Sequence, residues 1–363
     1  MQLTIPFPAA AFLAGLTGLI AIAPCPASAY DGWHLERSTI IEGKGAAWDY
    51  ITLDATRRRL FIGHRKEGLQ VFDLDAGILV TTIPGTPAAS SNGAVLIPEF
   101  DLGLSNNENG TLTPFRLSTL EVQPAIKLGA ELDTSHYDSF HKRLVVNMAA
   151  GADGTDAIVL AIPSLAQVGT IRLATRKMEG ADGDGIGNFF VAARDVNTVF
   201  RLDIVAGKVT AEWPTPGCAQ TNSLTIDRVN KRIFLGCRGS ETVKPSFAVM
   251  DAGSGVILYT AEIGGGNDSI VYDADLKRIF LANGVGAMLN VFEQVSADVY
   301  RPVEALGTSS GVRALAIDPT HKKLYSVVAE GAADMAKKIV TTVSPFYANS
   351  FFPNTFRVLT FSR

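Results

Sequence analysis

Apolar and polar residues alternate along this chain in short runs, and the runs are separated by polar turns. In "SLTIDRVNKRIFLGC" (223–237) a β-branched run meets "DRVNK", and a second apolar run follows at once. Period-two alternation bounded by turn signals predicts β-strands joined as hairpins. A helical period lasts no more than a turn or two anywhere, except at 332–340.

The same pattern returns along the chain. An Asp closes the first apolar run in "YITLDATRRRLFIGH", "TSHYDSFHKRLVVNM", "SLTIDRVNKRIFLGC", "SIVYDADLKRIFLAN" and "ALAIDPTHKKLYSVV", which places the anchors at Asp54, Asp138, Asp227, Asp273 and Asp318. Neighbouring anchors stand roughly 45 residues apart, or roughly twice that where a degenerate copy intervenes. The degenerate copies are "GAVLIPEFDLGLSNNENG" and "GIGNFFVAARDVNTVFRLD", which brings the count to seven. After the hairpin each unit has a Gly- or Asn-rich loop, a third run such as "LQVFDLDAG" and a fourth such as "ILVTTIPG". Four strands per unit at this period predict an all-β fold, a seven-bladed β-propeller with four-stranded blades. The last unit stops at its third strand, "TFRVLTFSR", while "HLERSTIIEG" stands spare before the first. The N-terminal strand is therefore expected in the last blade, with about 35–41 pairing against about 355–361, which closes the ring and removes two open edges.

The second-strand motifs "LFIGH", "RIFLGC", "RIFLAN" and "KLYSVV", and the D-x-x-x-G of Asp73 to Gly77, resemble the YVTN repeat. The chain is similar in this to the YncE-like, YVTN-type seven-bladed propellers over nearly its whole length after residue 30. That resemblance implies an exported bacterial protein that binds a ligand or partner. The related propeller of amine dehydrogenases, which serves as a scaffold subunit, implies a subunit of an envelope complex as one alternative.

Composition narrows the class. The 363 residues are 47% hydrophobic and 19% charged, with a net charge of -4. A mildly acidic chain lacks the basic footprint of a nucleic-acid binder. Residues 1–29 carry no charge and end in Ala27-Ser28-Ala29, which reads as a signal peptide cleaved before Tyr30, leaving a propeller domain at 30–363. Further on there is no long apolar segment, so no membrane span is expected after signal removal, and the protein is expected to be periplasmic or secreted. Cys218 and Cys237 then remain, a disulfide candidate in an oxidising compartment.

Strand A lines a propeller's channel, so the residue five before each anchor should face one mouth. These are Asp49, Asp133, Asn222, Asp268 and Arg313, with Gly93 in unit two. Beside them the end of strand B places His64, Asn106, Cys237 and Asn283, followed by Arg65, Arg194 and Arg238. A concave mouth with convergent polar groups is the default binding site, for a small molecule, peptide or envelope protein. No cofactor is expected. Asp-rich mouths suit Ca²⁺, but these carboxylates come from separated blades, and "DGDGIGN" at Asp182 has Ile186 where an EF-hand loop needs an oxygen ligand. Ser309 in "GTSSG" lacks the strand-to-helix elbow of a nucleophile. A metal-assisted lactonase or hydrolase on the same scaffold is the enzymatic alternative; no catalytic residue is assigned. The insertion at 331–355, rich in Phe and Tyr, is expected to fold over the mouth as a lid, to offer its aromatics to a partner, or to seal blade seven.

Overall fold

The computed structural model describes residues 32–43, 47–83, 90–148, 153–334, 336, 348 and 350–363. Residues 1–29, the expected signal peptide, lie outside these residues, and so do the greater part of the 332–340 segment and most of the insertion, including Phe346 and Tyr347.

Seven four-stranded antiparallel sheets follow one another, each ordered A-B-C-D from the centre outward. The innermost strands are Ala47–Asp54, Ser91–Ile97, Leu132–Asp138, Met178–Gly183, Thr221–Asp227, Asn267–Asp273 and Ala316–Asp318. Each packs against the next, and the last returns to the first. This is a seven-bladed β-propeller. A single 3₁₀ turn, Pro98–Phe100, is the helical element among the described residues.

Closure is as the unpaired last strand predicts. His34–Ile40 pairs antiparallel with Arg357–Ser362 as the outer strand of blade seven. Lys323 pairs with Glu36 across the sheet. On either side, Trp33 packs edge-on against Phe280 of blade six at 5.0 Å, and Arg37 donates to the Leu74 carbonyl of blade one at 2.6 Å.

The anchor aspartates are turn-makers. All five are buried, and their carboxylates accept backbone N–H groups two or three residues on: Asp54 from Arg57, Asp138 from His141, Asp318 from His321, and Asp227 and Asp273 from two donors each. The turn then needs a left-handed residue, which is Arg58, Lys142, Lys231, Lys277 or Lys322, each with φ between 52° and 55°. An Asp side chain mimicking a backbone turn explains why this residue marks each repeat. In blade two Pro98 stands at the turn instead, and the 3₁₀ turn replaces the Asp-capped one. In blade four "DGDGIGN" is that turn: Asp184 accepts the N–H groups of Ile186 and Asn188.

Apolar side chains of adjacent blades interlock. Between blades five and six, Phe234 meets Tyr272 and Tyr300 at 5.1 and 5.8 Å, and Phe247 meets Phe292 at 4.8 Å. Cys218 and Cys237 form a buried disulfide with a Cα–Cα distance of 5.2 Å, tying the approach to strand A of blade five to the end of its strand B. It closes a loop of 19 residues in sequence. Replacing both cysteines with Ser is expected to lower unfolding stability by about 3 kcal/mol, chiefly by freeing the unfolded chain. Urea unfolding of the variant measures this, and reduction of the native protein should act in the same direction.

Candidate functional site

In blades one to six, strand A breaks register with strand B near its start. The shifts fall between Trp48 and Ile51, Ser91 and Gly93, Leu132 and Ser135, Met178 and Ala181, Thr221 and Ser223, and Asn267 and Ser269. The residue inside the shift sits five before the turn in each blade, and a bulge of this kind re-aims a side chain. The bulge residues are Asp49, Asn92, Asp133, Glu179, Asn222 and Asp268, and Arg313 holds the equivalent place in blade seven.

These side chains form one connected belt. Arg65 reaches Asp49 at 2.5 Å and Asn92 at 3.1 Å, and Asn92 donates to the Leu132 carbonyl of blade three at 2.7 Å. Lys177 pairs with Asp133 and approaches Glu179 at 3.9 Å; Arg194 binds Glu179 at 2.8 Å and donates to Asn222 at 3.4 Å. Asn222 donates to Asp268 at 2.9 Å, and Asp268 also holds Arg238 and, at 3.6 Å, Arg313. Arg313 donates to the Trp48 carbonyl, beside Asp49, and its guanidinium lies 5.6 Å from the Trp48 ring. All seven blades are thus seamed at one end of the channel.

The belt is layered. The side chains of Asp49, Asp133, Glu179 and Asp268 are 4–11% exposed, whereas those of Arg65, Lys177, Arg194, Arg238 and Arg313 are 24–33% exposed. Carboxylates form the lower tier, and cationic heads face outward over them. Glu108 adds an outer carboxylate, 3.3 Å from Arg65. Beneath lies a cavity of about 430 Å³ within the strand A shaft, with Asp268 shared between its wall and the belt. Ile51, Val95, Leu224, Ile270 and Leu315 make much of its wall apolar, with Thr52, Ser223 and His136 among the polar groups. Burial lowers His136 to about 4, so its imidazole is neutral.

Several expectations need correcting. Unit two contributes Asn92, not Gly93, because Ile97 rather than an Asp ends its strand A and the count slips by one. Gly93 has φ 141°, and a Cβ there would stand 2.9 Å from that of Tyr50. The strand B terminus in blade two is Asn107, paired with Ser91, rather than Asn106. Asn106 instead binds Ser135 of blade three. His64 and Asn283 are fully buried away from the belt: His64 contacts Gln70 at 2.9 Å and stacks on Phe356 at 4.1 Å, and Asn283 bonds Asn267 and Asn290. The last side chain of strand B turns between blades, and the residue after it reaches the mouth. Glu179 and Lys177 escaped the sequence reading because blade four has several acidic residues, Asp182 and Asp184 among them, and no clear anchor. Counting five back from Asp184 finds Glu179.

The insertion leaves blade seven beside the belt. Gly331–Ala332 pairs with Ser350–Phe351, and the Phe351 ring packs on Trp48 at 5.1 Å. Whether the segment forms a lid concerns residues outside those described. Among the described residues, no group of three or more His, Cys, Asp or Glu has metal-holding geometry.

No family model and no curated protein matches the chain. Solved structures do. One chain in a crystal structure of the mitotic checkpoint complex is 12% identical, with a TM-score of 0.70, the match covering 87% of this chain and 95% of that one. The WD40 repeats of RRP9 are 7% identical at the same TM-score of 0.70, with 89% and 96% covered. At such identities the likeness is one of fold.

Burial raises Asp49 to about 6 against the pull of Arg313 and Arg65, and Glu179 to about 7 against Lys177 and Arg194. Both carboxyls hold a proton more tightly folded than unfolded, so their contribution is greatest at acid pH and is lost as pH rises through about 4 to 7. Asp227, Asp195 and Asp251 are shifted the opposite way: although burial opposes it, hydrogen bonds lower them, from turn residues and Gln294 for Asp227, from Thr175, Arg176 and Lys177 for Asp195 and from turn residues for Asp251, and their contribution is lost as pH falls below the ordinary carboxylate range. Thermal stability should therefore peak near pH 5 and decline toward pH 8. Melting curves across pH check this, and the combined D49N and E179Q variant should flatten the decline.

Proposed function

We propose that this chain is an exported propeller that binds a ligand or partner at the belt-lined mouth. The observation that carries the reading is the layering: half-buried cationic side chains are held in place by buried carboxylates at the end of a channel. That arrangement pre-orients donors toward an incoming group, and pre-organisation reduces the ordering cost of binding. The carboxylates that a metal-assisted enzyme would use are each engaged by Arg or Lys, which favours binding over the enzymatic alternative. The charge-free leader and the buried Cys218–Cys237 disulfide support export to an oxidising compartment. The second-strand motifs on this fold support kinship with the YVTN-type propellers.

Native mass spectrometry of the chain purified from the envelope fraction of the cells that make it tests the reading. A co-purifying mass is expected on the wild type and absent from R238E. A bare wild-type protein, or the same mass on both, contradicts it. N-terminal sequencing of that material should begin at Tyr30.

A further inference from the structure

Arg194, Arg238 and Arg313 arrive from blades four, five and seven and converge on a small group of buried partners. Arg194 is fixed by Glu179 and Asn222; Arg238 by Asp268 and, at 3.0 Å, the Asn267 carbonyl; Arg313 by Asp268 and the Trp48 carbonyl. Asn222 bridges the set by accepting from Arg194 and donating to Asp268. Three permanent cations thus pair with two carboxylates, Glu179 and Asp268, and the excess is offset in part by Asp49, which also lies in the field of Arg313. On the other side of the mouth, two cations, Arg65 and Lys177, face three carboxylates, Asp49, Glu108 and Asp133, so that the excess positive charge is confined to the arc. The contacts of Arg194 employ Nη1 and those of Arg238 employ Nε and Nη2, leaving further N–H groups on both planar forks for a ligand.

We infer that this three-arginine arc is the seat of an anionic oxygen group, a carboxylate or a phosphate, presented by whatever the mouth binds; the inference rests on the mouth being the binding site. A guanidinium held flat by a buried carboxylate offers its remaining N–H pair in the geometry that oxyanions accept bidentately. Asp268, held down in its ionised form by Arg238 and Arg313 although burial opposes it, keeps two of the forks oriented at every physiological pH. Glu179 tunes the charge. Burial raises it to about 7 while it faces Lys177, Arg194, Asp133, Arg238 and Tyr50, so mild acid neutralises it and adds to the positive charge of the arc.

Isothermal calorimetry on the mature chain, at constant ionic strength, tests the seat with sodium phosphate, sodium acetate and sodium chloride. Saturable binding of phosphate or acetate over chloride is expected, with acetate, which stays ionised over this range, bound tighter at pH 6 than at pH 8. Stronger phosphate binding assigns a phosphate source, and stronger acetate binding a carboxylate source. R194Q and R238Q should each weaken binding about tenfold, the scale of one lost charged hydrogen bond. R194K should restore part of it, and R301Q, on the outer strand of blade six, should leave it unchanged. Equal response to all three salts, or binding indifferent to R194Q and R238Q in folded protein, overturns the inference. If a belt-dependent mass co-purifies while phosphate and acetate do not bind, the seat fails and the mouth stands. If the anions bind but nothing co-purifies, the mouth as a partner site fails and the seat stands.

Discussion

Asp268→Ala is expected to lower unfolding stability by about 3 kcal/mol, although the residue belongs to the candidate binding mouth and not to the apolar core. Its carboxylate accepts from Asn222 and pairs with both Arg238 and Arg313. Counting repeats alone treats such a residue as a rim group, removable with little loss of fold; the belt contradicts that. Removing it leaves two guanidinium groups without their shared counter-charge and an amide without its acceptor. The value stands at the lower end for a broken buried ion pair because the arginines keep some contact with water, 29% of each side chain. Asp268→Asn should cost less, since an amide oxygen still accepts. Urea unfolding of the two variants decides: equal and negligible losses would show that the belt does not seam the blades.

A larger effect is expected from removing residues 30–41. Without His34–Ile40, strand Arg357–Ser362 becomes an exposed edge, and blade six loses Trp33 from Phe280. The N-terminal strand completes the last blade and ties it to blades one and six, and its loss exposes unpaired N–H and C=O groups along a strand that every other blade covers with a fourth. The expected loss is comparable to the stability of an ordinary domain, about 5–15 kcal/mol, and the truncated chain should aggregate or unfold without a single transition. A synthetic peptide covering 32–42 should restore cooperative melting when added in excess. A truncated chain that stays monomeric and melts as the intact one does would show that closure does not depend on this strand.

The repeat was legible because its markers are local. An Asp that caps the A–B turn, a positive-φ residue after it, and a D-x-x-x-G turn after strand C all leave residue types at fixed offsets. Asp73 accepts from the N–H groups of Asp75 and Ala76, and Gly77 takes φ 71°. The belt was half legible. Asp49, Asp133, Asn222, Asp268 and Arg313 follow from the turn by counting, because the bulge sits at a constant distance from it. Asn92 and Glu179 do not, because Pro98 and the acidic run around Asp182 remove the reference point. The pairing of the belt was not legible at all. Lys177 with Asp133, and Arg194 with Asn222, depend on which blade lies beside which and on how far a side chain reaches across. His64 and Asn283 were misplaced because strand residues alternate faces: one position along strand B separates the blade interface from the mouth.

The central claim is that the arginine arc at the belt receives the ligand's anionic group. The most direct measurement is an NMR titration of the arginine Nε–Hε signals with phosphate and acetate, the signals being assigned by single Arg→Gln substitutions. The account predicts saturable shifts at Arg194, Arg238 and Arg313, stronger at pH 6 than at pH 8 for acetate, with Arg172 and Arg301 on outer strands unmoved. Shifts spread evenly over all arginines, or confined to sites away from the mouth, would contradict it.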